Sequence, residues 1–172
     1  RPSTGAFYAG RLWQTSDKHN RLYYSQIVDT DATATIRPPT NKESHCFAAA
    51  DPTDGDDSAV VATDGGYIVT SDSGTHYGLV TLGDSLVLLT DRGIWAVRPS
   101  SQGVFTPTSF SFSKVIGSVV LGTQAYTSLG DAIHVATDEG ILELRLEATS
   151  FGNTSFVVNR LLDNKLRSGY EE

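Results

Sequence analysis

Two closely related hairpin sequences constrain the fold of this chain more than any other feature. Residues 82–98 read LGDSLVLLTDRGIWAVR, with an apolar run on each side of the turn Thr90–Gly93. The pattern returns at 129–146 as LGDAIHVATDEGILELRL, and the step from Gly83 to Gly130 is 47 residues. Apolar runs that flank an Asp-x-Gly turn predict a β-hairpin. A repeat at this spacing is typical of the blades of a β-propeller.

Eight positions are identical between the two copies, with no gap between them. In the first copy they are Leu82, Gly83, Asp84, Thr90, Asp91, Gly93, Ile94 and Arg98. In the second copy they are Leu129, Gly130, Asp131, Thr137, Asp138, Gly140, Ile141 and Arg145. The match spans both strands and the turn between them, so a whole hairpin is repeated.

A four-residue turn signature, [Ser/Thr]-Asp-x-Gly, occurs at four places in the chain. Aspartate can hydrogen-bond the backbone of its own turn, and glycine supplies the positive φ that such turns need. The second occurrence, with Thr70 before it and Tyr77 after it, also resembles the Asp-box turn of sialidase-type propellers. We therefore predict structural turns rather than catalytic aspartates at Asp64 and Gly66, Asp72 and Gly74, Asp91 and Gly93, and Asp138 and Gly140.

The composition indicates short strands and many turns. Ser, Thr, Gly and Asp are abundant, whereas stretches of helix-forming residues are few. We predict an all-β, β-propeller-like fold with several blades of short antiparallel strands. One further strand is predicted from the period-two pattern of Phe105–Ser113. The 172 residues would form a single domain or a fragment of a larger one. A fragment is considered because the chain begins at Arg1 and contains no Met.

Residues 29–58 interrupt the strand pattern. Arg37–Thr40 contains two prolines, which lack the amide donor of a central strand. The acidic run Asp51–Asp57 offers oxygen atoms to Ca²⁺ but lacks the glutamate of an EF-hand, so a solvated loop is favoured. We expect a long loop excursion here, and loops of this length are usually functional or contact a neighbour.

Other motifs give no reason to expect an enzyme, a cofactor or a metal. The net charge of −7 does not favour a nucleic-acid-binding surface, and Cys46 has no second cysteine with which to bind a metal. No run of about 18 apolar residues predicts a membrane span. No pair of carboxylates stands out for glycoside hydrolysis among Asp29, Asp31, Glu43 and Asp54. No metal-ligand spacing relates His19, His45, His76 and His134.

The order of several motifs resembles the tail nozzle (tail tubular protein B-like) proteins of short-tailed bacteriophages. The resemblance covers most of residues 7–146, and its motifs are structural. The motifs are Tyr8–Trp13, Arg21–Ser25, Cys46–Thr53, Asp64–Gly66, the hairpin Leu86–Val97, Phe105–Phe110 and the turn at Gly140 and Ile141.

The resemblance implies a structural virion protein at the phage tail. The chain would be a β-propeller-containing subunit of a homo-oligomeric ring, expected to be sixfold, below the portal and adaptor. It would form and gate the channel through which DNA leaves, with tail adaptor and tail fibre proteins as neighbours. An acidic lumen would let DNA pass without specific binding, because it would not hold phosphates.

A carbohydrate-binding or glycan-hydrolysing propeller is the alternative. Large aromatic side chains can stack on sugar rings, but in strands they more often belong to the core. The candidates are Trp13, Tyr23, Tyr24 and Trp95. Glycan binding and ring assembly are the measurements that separate the two functions.

Overall fold

The computed structural model describes residues 2–16, 19–27, 62, 65–100, 103–149 and 154–163. Within these ranges the chain forms twelve β-strands and no helix. Neighbouring strands pair antiparallel in three four-stranded sheets. The all-β prediction is confirmed, and the arrangement is that of a propeller-like fragment whose described strands do not close into a barrel.

Each sheet is a meander of four consecutive strands, which we call a blade. Blade 1 contains β1 (Pro2–Tyr8), β2 (Arg11–Ser16), β3 (His19–Tyr24) and β4 (Gly66–Val69). Blade 2 contains β5 (His76–Leu82), β6 (Ser85–Thr90), β7 (Gly93–Pro99) and β8 (Phe110–Ile116). Blade 3 contains β9 (Tyr126–Leu129), β10 (Ala132–Thr137), β11 (Gly140–Ala148) and β12 (Thr154–Asp163).

The repeated sequence forms the second and third strands of blades 2 and 3. In blade 2, Leu89 pairs with Ile94 and the hairpin closes where Thr90 meets Gly93. In blade 3 the hairpin closes in the same way, where Thr137 meets Gly140. Both predicted hairpins therefore have the same register relative to their turns.

Blade 2 lies between the other two blades and has an apolar core on each face. Leu86 and Leu88 pack into a cluster with residues of blade 1. Val87 and Leu89 pack into a second cluster with residues of blade 3. Because successive side chains of a strand point to opposite faces, a strand that is covered on both faces has to be apolar throughout. This explains the uninterrupted apolar run in β6.

The sequence predicted a strand over Phe105–Ser113, and this prediction is wrong for residues 105–109. Strand β8 starts at Phe110. Thr106 and Ser109 are bridged across a turn, in which Ser109 N donates to Thr106 O at 3.1 Å. Pro107 follows Thr106, in the position where the fixed φ of proline favours a turn.

The long excursion predicted at residues 29–58 lies outside the described residues, as does Cys46. The described chain leaves blade 1 after β3 and returns to it at β4, which pairs with β3 through Leu22 and Ile68. The segment between them therefore begins and ends at the same sheet.

Candidate functional site

Threonine hydroxyl groups hold the two matched turns. Thr90 Oγ1 donates to Gly93 O at 2.7 Å, and Thr137 Oγ1 donates to Gly140 O at 2.9 Å. Each hydroxyl also accepts from the amide two residues further on. The φ angles of the glycines are 129° and 123°, values that glycine adopts without a Cβ penalty. The repeated sequence thus produces the same turn twice.

The aspartates of these two turns bond backbone groups of another segment. Thr75 N donates to Asp91 Oδ1 at 2.7 Å, and Val119 N donates to Asp138 Oδ1 at 2.8 Å. In return Asp91 N donates to Thr75 O, and Asp138 N donates to Val119 O. The threonine already satisfies the turn, so the carboxylate reaches the connection that enters the same blade.

The Asp-box-like segment forms a turn before β5. Asp72 is exposed there, and Gly74 has a φ of 76°. A Cβ on Gly74 would overlap Asp91 Oδ1. Glycine is therefore required at this position for its backbone and for the close approach of the carboxylate that holds Thr75.

The remaining signature, which ends at Gly66, has a different structure. Gly66 is the first residue of β4 and pairs with Tyr24. A Cβ on Gly66 would lie 2.6 Å from Tyr24 Oη, so the glycine makes room for the tyrosine side chain rather than shaping a turn. Asp64 lies outside the described residues.

A buried histidine sits beneath the Asp-box-like turn. His76 Nε2 lies 2.8 Å from Ser73 Oγ and 3.1 Å from Thr70 Oγ1. Ser73 Oγ donates its proton to Thr70 O at 2.7 Å, an arrangement in which the serine oxygen accepts from a protonated Nε2. Burial lowers the pKa of His76, and the nearby Asp91 carboxylate opposes this shift. The Ser73 hydroxyl thus lies between the Thr70 carbonyl and the His76 ring.

Polar side chains join blades 2 and 3 in what we call the blade clamp: Asp84, Arg98 and Thr154. Arg98 Nη1 donates to Thr154 O at 3.1 Å, and Thr154 Oγ1 donates to Asp84 Oδ2 at 2.9 Å. Arg98 Nε also donates to Ser85 Oγ at 2.9 Å. Blade 1 joins through Tyr8, whose hydroxyl donates to Asp84 O at 2.7 Å. Residues of all three blades meet at this point.

The electrostatics of the clamp show that Tyr8 stays protonated. Burial, reinforced by the Asp84 carboxylate, raises the pKa of Tyr8 to about 12, while Arg98 acts in the opposite direction. Sequence reasoning did not single out the clamp. One feature of the sequence could have indicated the clamp: Asp84 and Arg98 both recur in the second copy of the hairpin.

A second anchor is Arg11 in blade 1, whose side chain is fully buried. Its Nη1 donates to Ser25 O at 2.6 Å, and its Nη2 donates to Ala62 O. The guanidinium carbon lies 5.4 Å from the ring centre of Tyr24 and 5.7 Å from that of Phe105, a cation–π geometry. Ser25 and Ala62 flank the predicted excursion in sequence, so one arginine bonds a described residue on each side of it.

The outward face of blade 3 has a polar network centred on Glu143. Its carboxylate accepts from Arg145 Nε at 2.8 Å, from His134 Nε2 at 3.2 Å and from Asn159 Nδ2 at 3.4 Å. Hydrogen bonds from Arg145 and Asn159 lower the pKa of Glu143. Arg145 is also 3.7 Å from Asp131, and both acids raise its pKa, Glu143 more strongly. Three side-chain donors thus satisfy the Glu143 carboxylate.

The aromatic candidates for sugar stacking have different surroundings. Trp13 and Tyr24 are buried in the core between blades 1 and 2. Trp95 is half-buried and packs against the same core. Tyr23 lies on the outward face of blade 1, where its ring centre is 6.0 Å from that of Tyr67. Among the four candidates, Tyr23 is therefore the one that lies outside that core, half-buried beside Tyr67.

The described residues contain no group of three or more His, Cys, Asp or Glu side chains that could hold a metal ion. Nor does this part of the chain include a helix with the length and apolar character needed to cross a membrane. Comparisons with protein-family models and with curated proteins found no match to this chain. Among the polar clusters of the described residues, the blade clamp is one that joins one blade to the next.

Proposed function

We propose that this chain is a structural virion protein, a subunit of the tail nozzle ring of a short-tailed bacteriophage. In this role it would form and gate the channel through which DNA leaves the particle. Tail adaptor and tail fibre proteins would be its neighbours. The resemblance of its ordered motifs to that family is the starting point of the proposal.

The observation that carries the proposal is the way in which blade 2 is joined to both neighbours. Its two faces are packed by separate apolar clusters. Phe105, which precedes β8, inserts among the rings of Tyr8, Trp13 and Tyr24 in blade 1. The blade clamp adds polar bonds to blade 3. Side-chain packing and directional bonds together resist sliding between sheets, which suits a subunit that holds a channel closed.

The charge of the chain supports the same role. A net charge of −7 repels the phosphates of passing DNA, so the lumen would not retain it. We expect neutralisation of exposed acids, by Asp72→Asn and Glu147→Gln in the phage, to slow DNA release. Ser111→Ala, an exposed neutral change, is the control. Unchanged release kinetics in the acid variants would remove this part of the proposal.

Immunogold labelling of virions tests the assignment directly. Antibodies raised against the 172-residue chain would be applied to intact particles of the phage that encodes it, with a capsid antibody as the control. We expect gold at the distal end of the tail and a ring of copies in averaged images. Label confined to the capsid, or absent from purified virions, would contradict a nozzle role.

One observation favours a carbohydrate-binding module as a second candidate. Tyr23 and Tyr67 lie side by side on the outward face of blade 1, and the guanidinium of Arg21 is 4.2 Å from the Tyr67 ring centre. Paired aromatic rings beside a hydrogen-bond donor can stack on a sugar. Saturable glycan-array binding that is lost in Tyr23→Ala and Tyr67→Ala would favour this candidate, and hydrolysis of the bound glycan would make it an enzyme.

A further inference from the structure

The connections that enter blades 2 and 3 are held in the same way, so their residues can be matched one to one. Asp91 bonds both backbone groups of Thr75: its carboxylate accepts from Thr75 N, and its own amide donates to Thr75 O. Asp138 makes the same two bonds with Val119. Because the two aspartates are equivalent in the sequence repeat, Thr75 and Val119 occupy equivalent positions in the two connections.

The next residue of each connection lies opposite the first threonine of the matched turn. His76 pairs with Thr90, and Val120 forms a bridge with Thr137. Both side chains are buried, with His76 4% and Val120 1% exposed. One structural position thus holds a titratable ring where the chain enters blade 2 and an apolar side chain where it enters blade 3.

The buried ring of His76 has hydrogen-bond partners at one nitrogen only among the described residues. Its Nε2 lies close to the hydroxyls of Ser73 and Thr70, whereas its Nδ1 is buried without a partner. In the neutral ring with a protonated Nε2, Nδ1 carries a lone pair. A second proton would place both a positive charge and an unpaired N–H donor in this buried site, and each is unfavourable there.

The same ring holds the turn that joins blade 1 to blade 2. Ser73 donates to Thr70 O through both its amide and its hydroxyl. Thr70 N donates to Asn20 O of blade 1 at 2.8 Å. His76 is the first residue of β5 in blade 2. Its bonds to the two hydroxyls therefore connect one blade to the other, and their loss would free the turn between them.

The charged side chains around His76 provide no unengaged buried carboxylate for a protonated ring. Those described on the neighbouring turns and strand are Asp72, Asp91, Arg92 and Arg21. Burial lowers the pKa of His76, and the Asp91 carboxylate, which already accepts from the connection, opposes this shift only in part. Asp72 is exposed, and the two arginines are positive. The surroundings thus favour the neutral ring while the turn is closed.

We propose that protonation of His76 releases the turn 70–74 and loosens the junction of blades 1 and 2, while the junction of blades 2 and 3 stays closed because Val120 cannot titrate. The turn would respond below about pH 6.5, the ordinary pKa of an exposed histidine. Protonation of carboxylates would not produce this difference, since an equivalent aspartate holds both connections. The acid response would belong to the junction itself, whichever function the chain has.

Hydrogen exchange of the 172-residue chain, followed by NMR, tests this device. Protection factors, which correct for the intrinsic pH dependence of exchange, are compared at about pH 7.5 and about pH 5. The probes are the amides of Ser73 and Val120, which donate to Thr70 O and Thr90 O. We expect protection at Ser73 to fall at least about threefold and up to about 30-fold, because opening gains at most about tenfold per pH unit below 6.5. Protection at Val120 should change by less than about twofold.

Histidine variants assign the response to one ring. His76→Gln cannot titrate but keeps a side-chain donor for Ser73, and His76→Val introduces the residue of the equivalent position. His134→Gln, at the half-buried histidine of blade 3, is the matched control. We expect Ser73 protection to become independent of pH in both His76 variants and to keep its acid loss in the control.

Three results would overturn the proposal. The first is a protection factor at Ser73 in the unaltered chain that does not change with pH. The second is an equal loss at Ser73 and Val120, which would mean that acid opens the whole chain. The third is an acid loss at Ser73 that persists in a folded His76 variant, which would assign the response to another group. Circular dichroism establishes that each variant is folded.

Discussion

Replacement of Phe105 by alanine should strongly destabilise the junction of blades 1 and 2. Phe105 is 1% exposed and comes from the connection between β7 and β8 of blade 2. Its ring centre lies 4.8 Å from that of Trp13, 5.2 Å from that of Tyr24 and 6.4 Å from that of Tyr8. The side chain therefore fills an aromatic cavity in a blade to which it does not belong.

The size of the effect follows from this packing. Truncation of a buried phenylalanine costs about 3–5 kcal/mol through lost transfer free energy and the cavity left behind. Aromatic pairs contribute about 0.5–1.5 kcal/mol each beyond buried area. We expect a loss of about 4 kcal/mol for Phe105→Ala, and about 1.5 kcal/mol or less for Phe105→Leu, because leucine fills more of the site.

Urea unfolding monitored by tryptophan fluorescence measures this loss. Trp13 is fully buried against Phe105, so its emission should also shift to the red in Phe105→Ala before unfolding begins. Val104→Ala, next to it but 68% exposed, should change the free energy of unfolding by less than about 0.5 kcal/mol. Equal, small effects of the two substitutions would refute the insertion of Phe105 into blade 1.

Three further predictions concern the histidine pocket, a turn and the clamp. The pKa of His76 is lowered from 6.5 in the folded chain. Its contribution to the free energy of unfolding should therefore be complete above pH 6.5 and fall as the pH drops below 6.5. Urea unfolding should show a loss of at most about 1.4 kcal/mol per pH unit. Gly74→Ala should cost about 1 kcal/mol more than Gly130→Ala in the same assay, because both glycines have positive φ but only the first would contact Asp91. Thr154→Val should destabilise by about 1 kcal/mol, since it removes a hydroxyl bonded to a carboxylate and keeps the side-chain shape.

Each of these predictions has an outcome that would contradict it. An NMR titration in which the His76 imidazole shows a pKa at or above 6.5 would exclude a neutral buried ring. Equal losses in the two glycine variants would mean that the Asp91 carboxylate does not approach the turn. For the clamp, Ser155→Ala is the exposed control, and a Thr154→Val effect no larger than that of the control would show that the hydroxyl contributes nothing to the junction.

Local patterns were sufficient to predict the hairpins and the turn glycines within them. The apolar runs on either side of Thr90–Gly93 and Thr137–Gly140 form paired strands, as predicted. Such a hairpin depends on the backbone preferences of apolar, β-branched and glycine residues that are close in sequence. The same reasoning was wrong for 105–109, where an alternation of aromatic and small polar residues resembled a strand. There Pro107 produces a turn, and the buried Phe105 belongs to the core of another blade.

The polar groups of the candidate site were less predictable. A carboxylate in an Asp-x-Gly turn can bond its own turn or a neighbouring segment, and the residues inside the turn do not decide between them. Asp91 bonds Thr75, which is 16 residues away in sequence. The clamp bond from Thr154 to Asp84 spans 70 residues. The stacking of the blades determines these hydrogen-bond partners. A short stretch of sequence carries no information about that stacking.

Sequence alone thus decided the antiparallel strands, the hairpin turns and the 47-residue repeat of this chain, because interactions between near neighbours control each of them. Tertiary structure alone decided which faces are covered and which polar groups meet. The two hairpin copies make the distinction clear. Leu82 and Leu129 occupy matching positions of the repeat, yet one is buried and the other exposed, because among the described residues a further blade covers only the first.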